Sequence, residues 1–292
     1  MTPAIVKRGG KMKKIVLFGA GQAGAAVSRL LGADWEAVCF ADNDREKWGA
    51  FLEELPVLSP AESLLREPDC FCLCALDAGR REQMARQLRE LGFAGPVYSP
   101  ESLRMFDARV GAMRLLARQI RQLRIPGDAA ELGVYRGDFA ALINAAFPDR
   151  TLHLFDTFEG FPGEDVKIEA EAGYSKARAA DFSGTSVEMV EKRLLYREQA
   201  RFYKGRFPAS FAPCMELRFA FVSIDADLYA PTAAALPLFW ERLSPGGVLM
   251  IHDADSQQFA GVGKAVSDFC REQGIFPMPV CDLHGSLVLR RG

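Results

Sequence analysis

The chain has 292 residues, 49% apolar and 25% charged, with a formal net charge of −2. That length suits two α/β domains, and the balanced charge leaves no basic excess to meet nucleic-acid phosphates or an anionic membrane surface. No apolar run approaches the roughly 20 residues of a membrane span.

The first stretch, Met1 to Lys14, is basic but lacks an apolar core ahead of a small-residue cleavage site, so it does not read as a secretory signal. Residues 1–11 are expected to be a flexible leader, with Met12 a second candidate start. Residues 12–100 then read as a small Rossmann-like domain. Lys13 to Phe18 is a buried strand, Gly19-Ala-Gly21-Gln-Ala-Gly24 opens a helix running through Leu31, and Glu36 to Ala41 is a strand closed by Asp42. Strand, three glycines, helix, strand and acid in that order form a dinucleotide fingerprint. Pro56 to Leu58, Cys70 to Leu76 and Pro96 to Tyr98 supply further strands, with a helix over Arg80 to Leu91 ended by Gly92. Two readings of Gly19–Gly24 stay open, a nucleotide or sugar-nucleotide site and a scaffold or dimerising role. The unit is short, and no Tyr-x-x-x-Lys pair follows for hydride transfer.

There are seven cysteines. Cys70, Cys72 and Cys74 alternate, so they share one face of a strand and read as small buried hydrophobes, not as a metal site. Cysteine used this way predicts a reducing, cytoplasmic setting. A linking segment, residues 101–127, carries a one-sided apolar stripe over Val110, Met113, Leu116, Ala117, Ile120 and Leu123, ended by Pro126-Gly127. It is expected to pack the first domain on the second or to form a lid over a cofactor.

Residues 128–292 contain seven strand candidates: Ala129 to Leu132, Thr151 to Phe155, Arg201 to Tyr203, Phe219 to Ile224, Gly247 to Ile251, Phe276 to Val280 and Ser286 to Leu289. Helical patterns separate the first six, and a short turn through Asp282 to Gly285 makes the last two an antiparallel pair. This is the shape of a class I methyltransferase dependent on S-adenosylmethionine (SAM). The turn Glu131-Leu-Gly133-Val-Tyr135-Arg-Gly137 lacks the Gly-x-Gly-x-x-Gly spacing of a dinucleotide site. Its leading acid favours a cationic ligand such as SAM, and Asp156 can bind ribose hydroxyls.

Ligands of an open α/β sheet bind beyond the carboxyl ends of its strands. Glu131, Asp156, Gly205, Asp225, Asp227, His252, Asp253 and Asp255 all fall there. The strands ending at Asp225 and at His252-Asp253 are expected to be neighbours, their carboxylates converging on a divalent cation, Mg²⁺ by its preference for oxygen. Helix caps are the competing reading, Asp227 for a helix near Pro231 and Asp253 for one near Gly261.

Five motifs resemble the macrocin/mycinamicin-type sugar O-methyltransferases: Ile125 to Gly137, Leu154-Phe-Asp-Thr-Phe-Glu-Gly-Phe-Pro162, Lys204-Gly-Arg-Phe-Pro208, Ile224-Asp-Ala-Asp-Leu-Tyr229 and Gly246-Gly-Val. They come in the family's order, and the resemblance covers roughly Asp107 to Gly292. It implies SAM-dependent, metal-assisted methyl transfer to a sugar hydroxyl of a small glycosylated metabolite. By the same resemblance Glu131, Gly133, Gly137 and Asp156 contact SAM, while Asp225 and Asp253 hold the metal. Tyr135, Thr157, Phe158 and Gly205 lie in these motifs and complete the expected cofactor set.

One position departs from the family: His252 stands where paired aspartates are usual. As a ligand it shifts preference from Mg²⁺ towards Mn²⁺, Fe²⁺ or Zn²⁺. As a general base it would titrate near neutrality. A hydrogen-bonded structural role is the third reading. The candidate metal set is therefore Asp225, His252 and Asp253, with Asp225 and His252 also the candidate catalytic pair. His153 and His284 lack such company and read as structural. Gly163 to Ser183 reads either as a flap over the acceptor or as a solvated loop. Two rival functions compete with this reading, an NAD- or sugar-nucleotide enzyme working from the first domain and a non-catalytic relict. The oligomeric state is left open.

Overall fold

The alternating apolar runs fold as two parallel-stranded units, each with helices feeding the chain from one strand to the next. The computed structural model describes residues 12–31, 35–75, 77–100, 107–256, 258–282 and 285–292, so the expected leader and His284 lie outside the described residues. Contacts divide the chain into two compact units, one up to Arg114 and one from Leu115 onward.

In the first unit the elements are β1 (Lys13–Phe18), α1 (Gln22–Leu30), β2 (Trp35–Ala41), β3 (Phe51–Leu52), β4 (Leu55–Leu58), α2 (Pro60–Leu64), β5 (Cys70–Leu73), α3 (Ala78–Glu90) and β6 (Val97–Tyr98). The strand order is β3-β4-β2-β1-β5-β6. All pairs are parallel except β3 with β4. The chain leaves β1 towards β2 on one side and returns to β5 on the other, which opens a crevice at the carboxyl end of β1. Cys70, Cys72 and Cys74 do share a face, buried with Ile15, Leu17 and Phe40. Desolvation, reinforced by the Asp69 charge, pushes the Cys70 thiol up to about 11, which suits an inert core residue.

Helix α4 (Ala108–Gln122) buries Val110, Met113, Ala117 and Ile120 of the expected stripe, whereas Leu116 is half-buried and Leu123, beyond the helix end, is exposed. The boundary between the units falls inside it. The second unit continues with β7 (Asp128–Leu132), α5 (Asp138–Ala146), β8 (Leu152–Asp156), α6 (Gly163–Ala172), α7 (Val187–Glu191), β9 (Ala200–Lys204), β10 (Phe219–Ile224), α8 (Tyr229–Arg242), β11 (Leu243–Ile251), α9 (Ala260–Gln273), β12 (Met278–Pro279) and β13 (Leu287–Arg290). Its strand order is β12-β13-β11-β10-β7-β8-β9, with β13 antiparallel to both neighbours and the other pairs parallel. The expected terminal antiparallel pair is present, and β13 inserts between β11 and β12.

One face of this sheet carries an aromatic core. Phe155, Phe211, Phe219 and Phe239 are fully buried there with Ile224, Ile251 and Leu236. Burying each such side chain contributes roughly 1.5–3 kcal/mol, so this face fixes the register on which the strand ends depend. At the amino end of the sheet, His153 bridges Asp128 (3.0 Å) and Tyr203 (2.9 Å). That placement fits its structural reading and keeps it away from the carboxyl edge.

Candidate active site

Three strand ends meet at the middle of the second sheet. The N–H of Asp225 donates to the Leu132 carbonyl (2.8 Å) and that of His252 to the Ile224 carbonyl (2.9 Å), extending the β7, β10 and β11 ladder past its last paired residues. Asp225, His252 and Asp253 are thereby brought side by side. His252 Nδ1 lies 3.0 Å from Asp225 Oδ1 and 3.0 Å from Asp253 Oδ2. One ligand atom from each of the three falls within 4.8 Å of the others, the spread expected around a single cation. The donor set is two carboxylate oxygens and one imidazole nitrogen, which fits a first-row divalent metal better than an all-oxygen set does.

Asp227 joins this cluster, contrary to its reading as a helix cap. The N-cap of α8 is Leu228, with no side-chain cap, and that of α9 is Phe259, likewise uncapped. Asp227 instead hydrogen-bonds Asp253. Burial, then the charges of Asp225 and Asp253, hold its carboxyl well above the usual carboxylate range, opposed by His252. Both Asp227 (φ +58°) and Asp253 (φ +56°) adopt left-handed backbone, a strained conformation that concentrates at functional sites. Asp255 is exposed and lies outside the triad.

The turn after β7 locks directly onto this cluster. Gly133 has φ +84°, and a Cβ there would sit 1.9 Å from the carbonyl oxygen of Asp225. Only glycine allows that approach, so the candidate cofactor turn and the candidate metal strand form one rigid edge. Asp156, expected to hold ribose hydroxyls, is largely occupied with backbone. Its Oδ2 accepts from the N–H of Val134 (2.7 Å) and Tyr135 (2.8 Å), and its Oδ1 from that of Phe158 (2.7 Å). With two lone pairs on each oxygen, Oδ1 retains room for one hydroxyl. The Thr157 hydroxyl donates to the Gly160 carbonyl (2.6 Å) and lies 3.5 Å from Asp156 Oδ1.

The other expected cofactor residues share the same rim. Glu131 is buried in β7 beside Ser223 of β10. Tyr135 (φ +47°) and Phe158 (φ +55°) are both left-handed, and Gly137 begins α5. The Gly205 N–H donates to the Asp156 carbonyl (2.9 Å). Residues 182–185 fold over the turn. Phe182 stacks edge-on against Tyr135 (5.1 Å), Arg136 Nε donates to the Gly184 carbonyl (3.0 Å), and the Thr185 hydroxyl donates to the Tyr135 carbonyl.

The expected flap divides in two. Its first half is helix α6, held by two buried acids. Asp165 receives a two-pronged pair from Arg206 (2.7 and 3.1 Å), and Glu169 Oε1 accepts the Tyr229 N–H (2.6 Å). Both acids lie in the segment expected to be a flap or a solvated loop, and their partners are 41 and 60 residues away. Only Gly173 to Ser183 remains without helix.

Comparison with known proteins gives the family and the fold. The family model for macrocin-O-methyltransferase (TylF) matches residues 74–290. Among curated proteins, the chain is 34% identical over 141 residues to a mycinamicin III 3''-O-methyltransferase of Micromonospora griseorubida, covering 44% of this chain and 56% of that protein. It is 30% identical over 179 residues to an 8-demethyl-8-(2,3-dimethoxy-alpha-L-rhamnosyl)-tetracenomycin-C 4'-O-methyltransferase of Streptomyces olivaceus, covering 57% and 66% respectively. The chain thus spans between about half and two thirds of the length of these relatives. Among solved structures, the O-methyltransferase NovP superposes with a TM-score of 0.53 at 23% identity, over 63% of this chain and 79% of that one. The calicheamicin methyltransferase CalS11 gives 0.53 at 20%, over 80% and 90%. At these identities the two structures establish the fold: a class I methyltransferase sheet.

Proposed function

The chain belongs to the macrocin-O-methyltransferase family, and from that premise we propose that it methylates a hydroxyl of a sugar carried by a small glycosylated metabolite. The names of its relatives specify hydroxyls on mycinamicin III and on a rhamnosyl tetracenomycin, which supports a deoxyhexose acceptor here. The observation that carries the reading is Gly133 seated against the Asp225 backbone, which fuses the cofactor turn to the acid cluster.

SAM would supply a methyl group on a sulfonium, and a dication held by Asp225, His252 and Asp253 would lower the pKa of an oxygen placed on it. The residues of the chain do the rest. Glu131 and the turn Gly133–Gly137 bind and orient the donor, and Asp156 Oδ1 offers its remaining lone pair to a ribose hydroxyl. Asp227 accepts the proton that the acceptor hydroxyl must lose. A carboxylate placed beside the cluster acts as a general base once ionised, and such bases contribute typically about 10²–10⁴-fold. His252 is assigned as a ligand through Nδ1, because that nitrogen faces both carboxylates. Residues 182–185 close over the turn and exclude water, and holding donor and acceptor in line supplies a further large share of the acceleration.

The test combines binding and turnover. SAM should bind the purified chain, and methyl-labelled SAM should pass its label to rhamnosyl glycosides, with activity lost in chelator and restored by Mn²⁺ or Mg²⁺. Absence of SAM binding would overturn the proposal. Full activity in chelator would remove its metal part alone.

A further inference from the structure

The first unit holds a feature that methyl transfer leaves unused. At the carboxyl ends of β1, β2 and β5 lies a cavity of about 610 Å³ whose lining includes Gly19, Gly21, Asp42, Lys47, Asp77 and Arg80. It is formed entirely within that unit, at the point where the chain leaves β1 in opposite directions for β2 and β5. Cavities of this size hold small organic ligands, and this position is where doubly wound sheets bind them.

The three fingerprint glycines differ in what demands them. Gly19 has φ +118° and would place a Cβ 3.0 Å from the Cys74 carbonyl, while a Cβ on Gly24 would fall 2.0 Å from the Gly19 carbonyl. Both are required by the fold. Gly21 is not: its φ of −134° is open to any residue, and nothing lies within 4 Å of a Cβ built there. A side chain at 21 would only reduce the space at the start of α1. A ligand approaching the backbone closely would use that space.

The surrounding chemistry selects the ligand. Helix α1 starts at Gly21 with no side-chain cap and no acid in its first turn, so its orphan N–H groups keep their affinity for an anion. Arg80 adds positive charge to the same lining, where Lys47 is paired with Asp42 and Asp44 and Asp77 caps α3. Asp42, the acid that would hold a ribose in a dinucleotide site, is braced much as Asp156 is, with room left on Oδ1 for one hydroxyl. Its Oδ2 accepts from the Ala20 N–H (2.7 Å) and Lys47 Nζ (3.0 Å), and its Oδ1 from the Asp44 N–H (2.9 Å). The start of α1 and Arg80 suit phosphates, Asp42 Oδ1 keeps a place for a ribose hydroxyl, and Phe18, Ala75 and Met84 offer an apolar wall for a base. We propose that this cavity binds a nucleoside diphosphate, free or carrying a sugar, with its phosphates at the start of α1 beside Arg80.

Calorimetric titration of the full chain with UDP, ADP, GDP and dTDP tests this, with excess S-adenosylhomocysteine present so that adenine cannot report the second unit. At least one diphosphate should bind with a Kd below about 1 mM, and its nucleoside and inorganic pyrophosphate should each bind at least about tenfold more weakly. Gly21→Asp, which has room to fold, and Arg80→Ala should each weaken binding by about 10- to 100-fold, the range for losing a charged hydrogen bond. S-adenosylhomocysteine affinity should be unchanged in both variants. A nucleotide sugar binding more tightly than its diphosphate would identify the sugar-bearing form. No binding by any of the four diphosphates, or equal binding in both variants, would overturn the proposal. Pyrophosphate binding as tightly as the diphosphates would overturn the nucleoside assignment.

Discussion

Glu169 Oε1 accepts the backbone N–H of Tyr229 over 2.6 Å, so a fully buried carboxyl of α6 closes the first turn of α8. Five residues later the Tyr174 carbonyl accepts the Ala260 N–H (3.2 Å) at the start of α9. One segment therefore ties down the helices that follow both acid-bearing strand ends. Gly261 makes this contact possible, since a Cβ there would lie 2.9 Å from Glu169 Oε1 and 2.8 Å from Tyr229 Cβ. Glu169→Ala strands the Tyr229 donor and should cost about 1–3 kcal/mol of stability, whereas Glu169→Gln, which keeps an oxygen acceptor, should stay within about 1 kcal/mol. Urea unfolding of both variants measures the difference, and equal losses would show that the bond to Tyr229 is not what stabilises α8.

The donor set at Asp225, His252 and Asp253 predicts metal preference. Asp225→Asn should weaken Mn²⁺ binding by about tenfold or more while SAM affinity stays near that of the native chain. His252→Asp makes the set all-oxygen and should move the ratio of Mn²⁺ to Mg²⁺ affinity towards Mg²⁺. Competitive titration of the two ions reads that ratio, and an unchanged ratio would remove His252 from the ligand set.

Gly133→Ala forces a Cβ against the Asp225 carbonyl at a positive φ. The expected cost is about 2–4 kcal/mol, with SAM binding and metal binding damaged together because the two turns share that contact. Loss of one without the other, measured by separate titrations, would show that the edge is not a single rigid unit.

The thiols make a further check. Six of the seven cysteines are buried and Cys281 is exposed. Desolvation pushes the thiols of Cys39 and Cys70 up to about 11, so neither is a thiolate at neutral pH. Iodoacetamide at pH 7.5 should label the native chain at Cys281 alone and all seven sites after unfolding, as peptide mass spectrometry would record.

Much of the site was legible because strand ends are local. Ile224-Asp225 and Ile251-His252-Asp253 announce both a buried run and the polar residues that close it, and helical spacing between strands implies a parallel sheet whose ends share one edge. The same logic placed Cys70, Cys72 and Cys74 on one face. It failed where a partner lies far along the chain. Asp165 and Glu169 belong to what reads as a flap or a solvated loop until Arg206 and Tyr229 are brought to them. Asp227 looks like a cap until β11 delivers Asp253.

From its own order of residues, then, the chain determined which segments become strands and helices, that there are two glycine-opened units, and that acids cluster at the ends of β10 and β11. Apolar periodicity and glycine placement act over a few residues, so they can be read without a structure. Tertiary contact alone decided that Asp156 and Asp42 brace the glycine turns, that Glu169 closes α8, and that Gly21 is left facing a cavity. Those outcomes depend on which surfaces meet across the sheet, and no local pattern encodes that meeting.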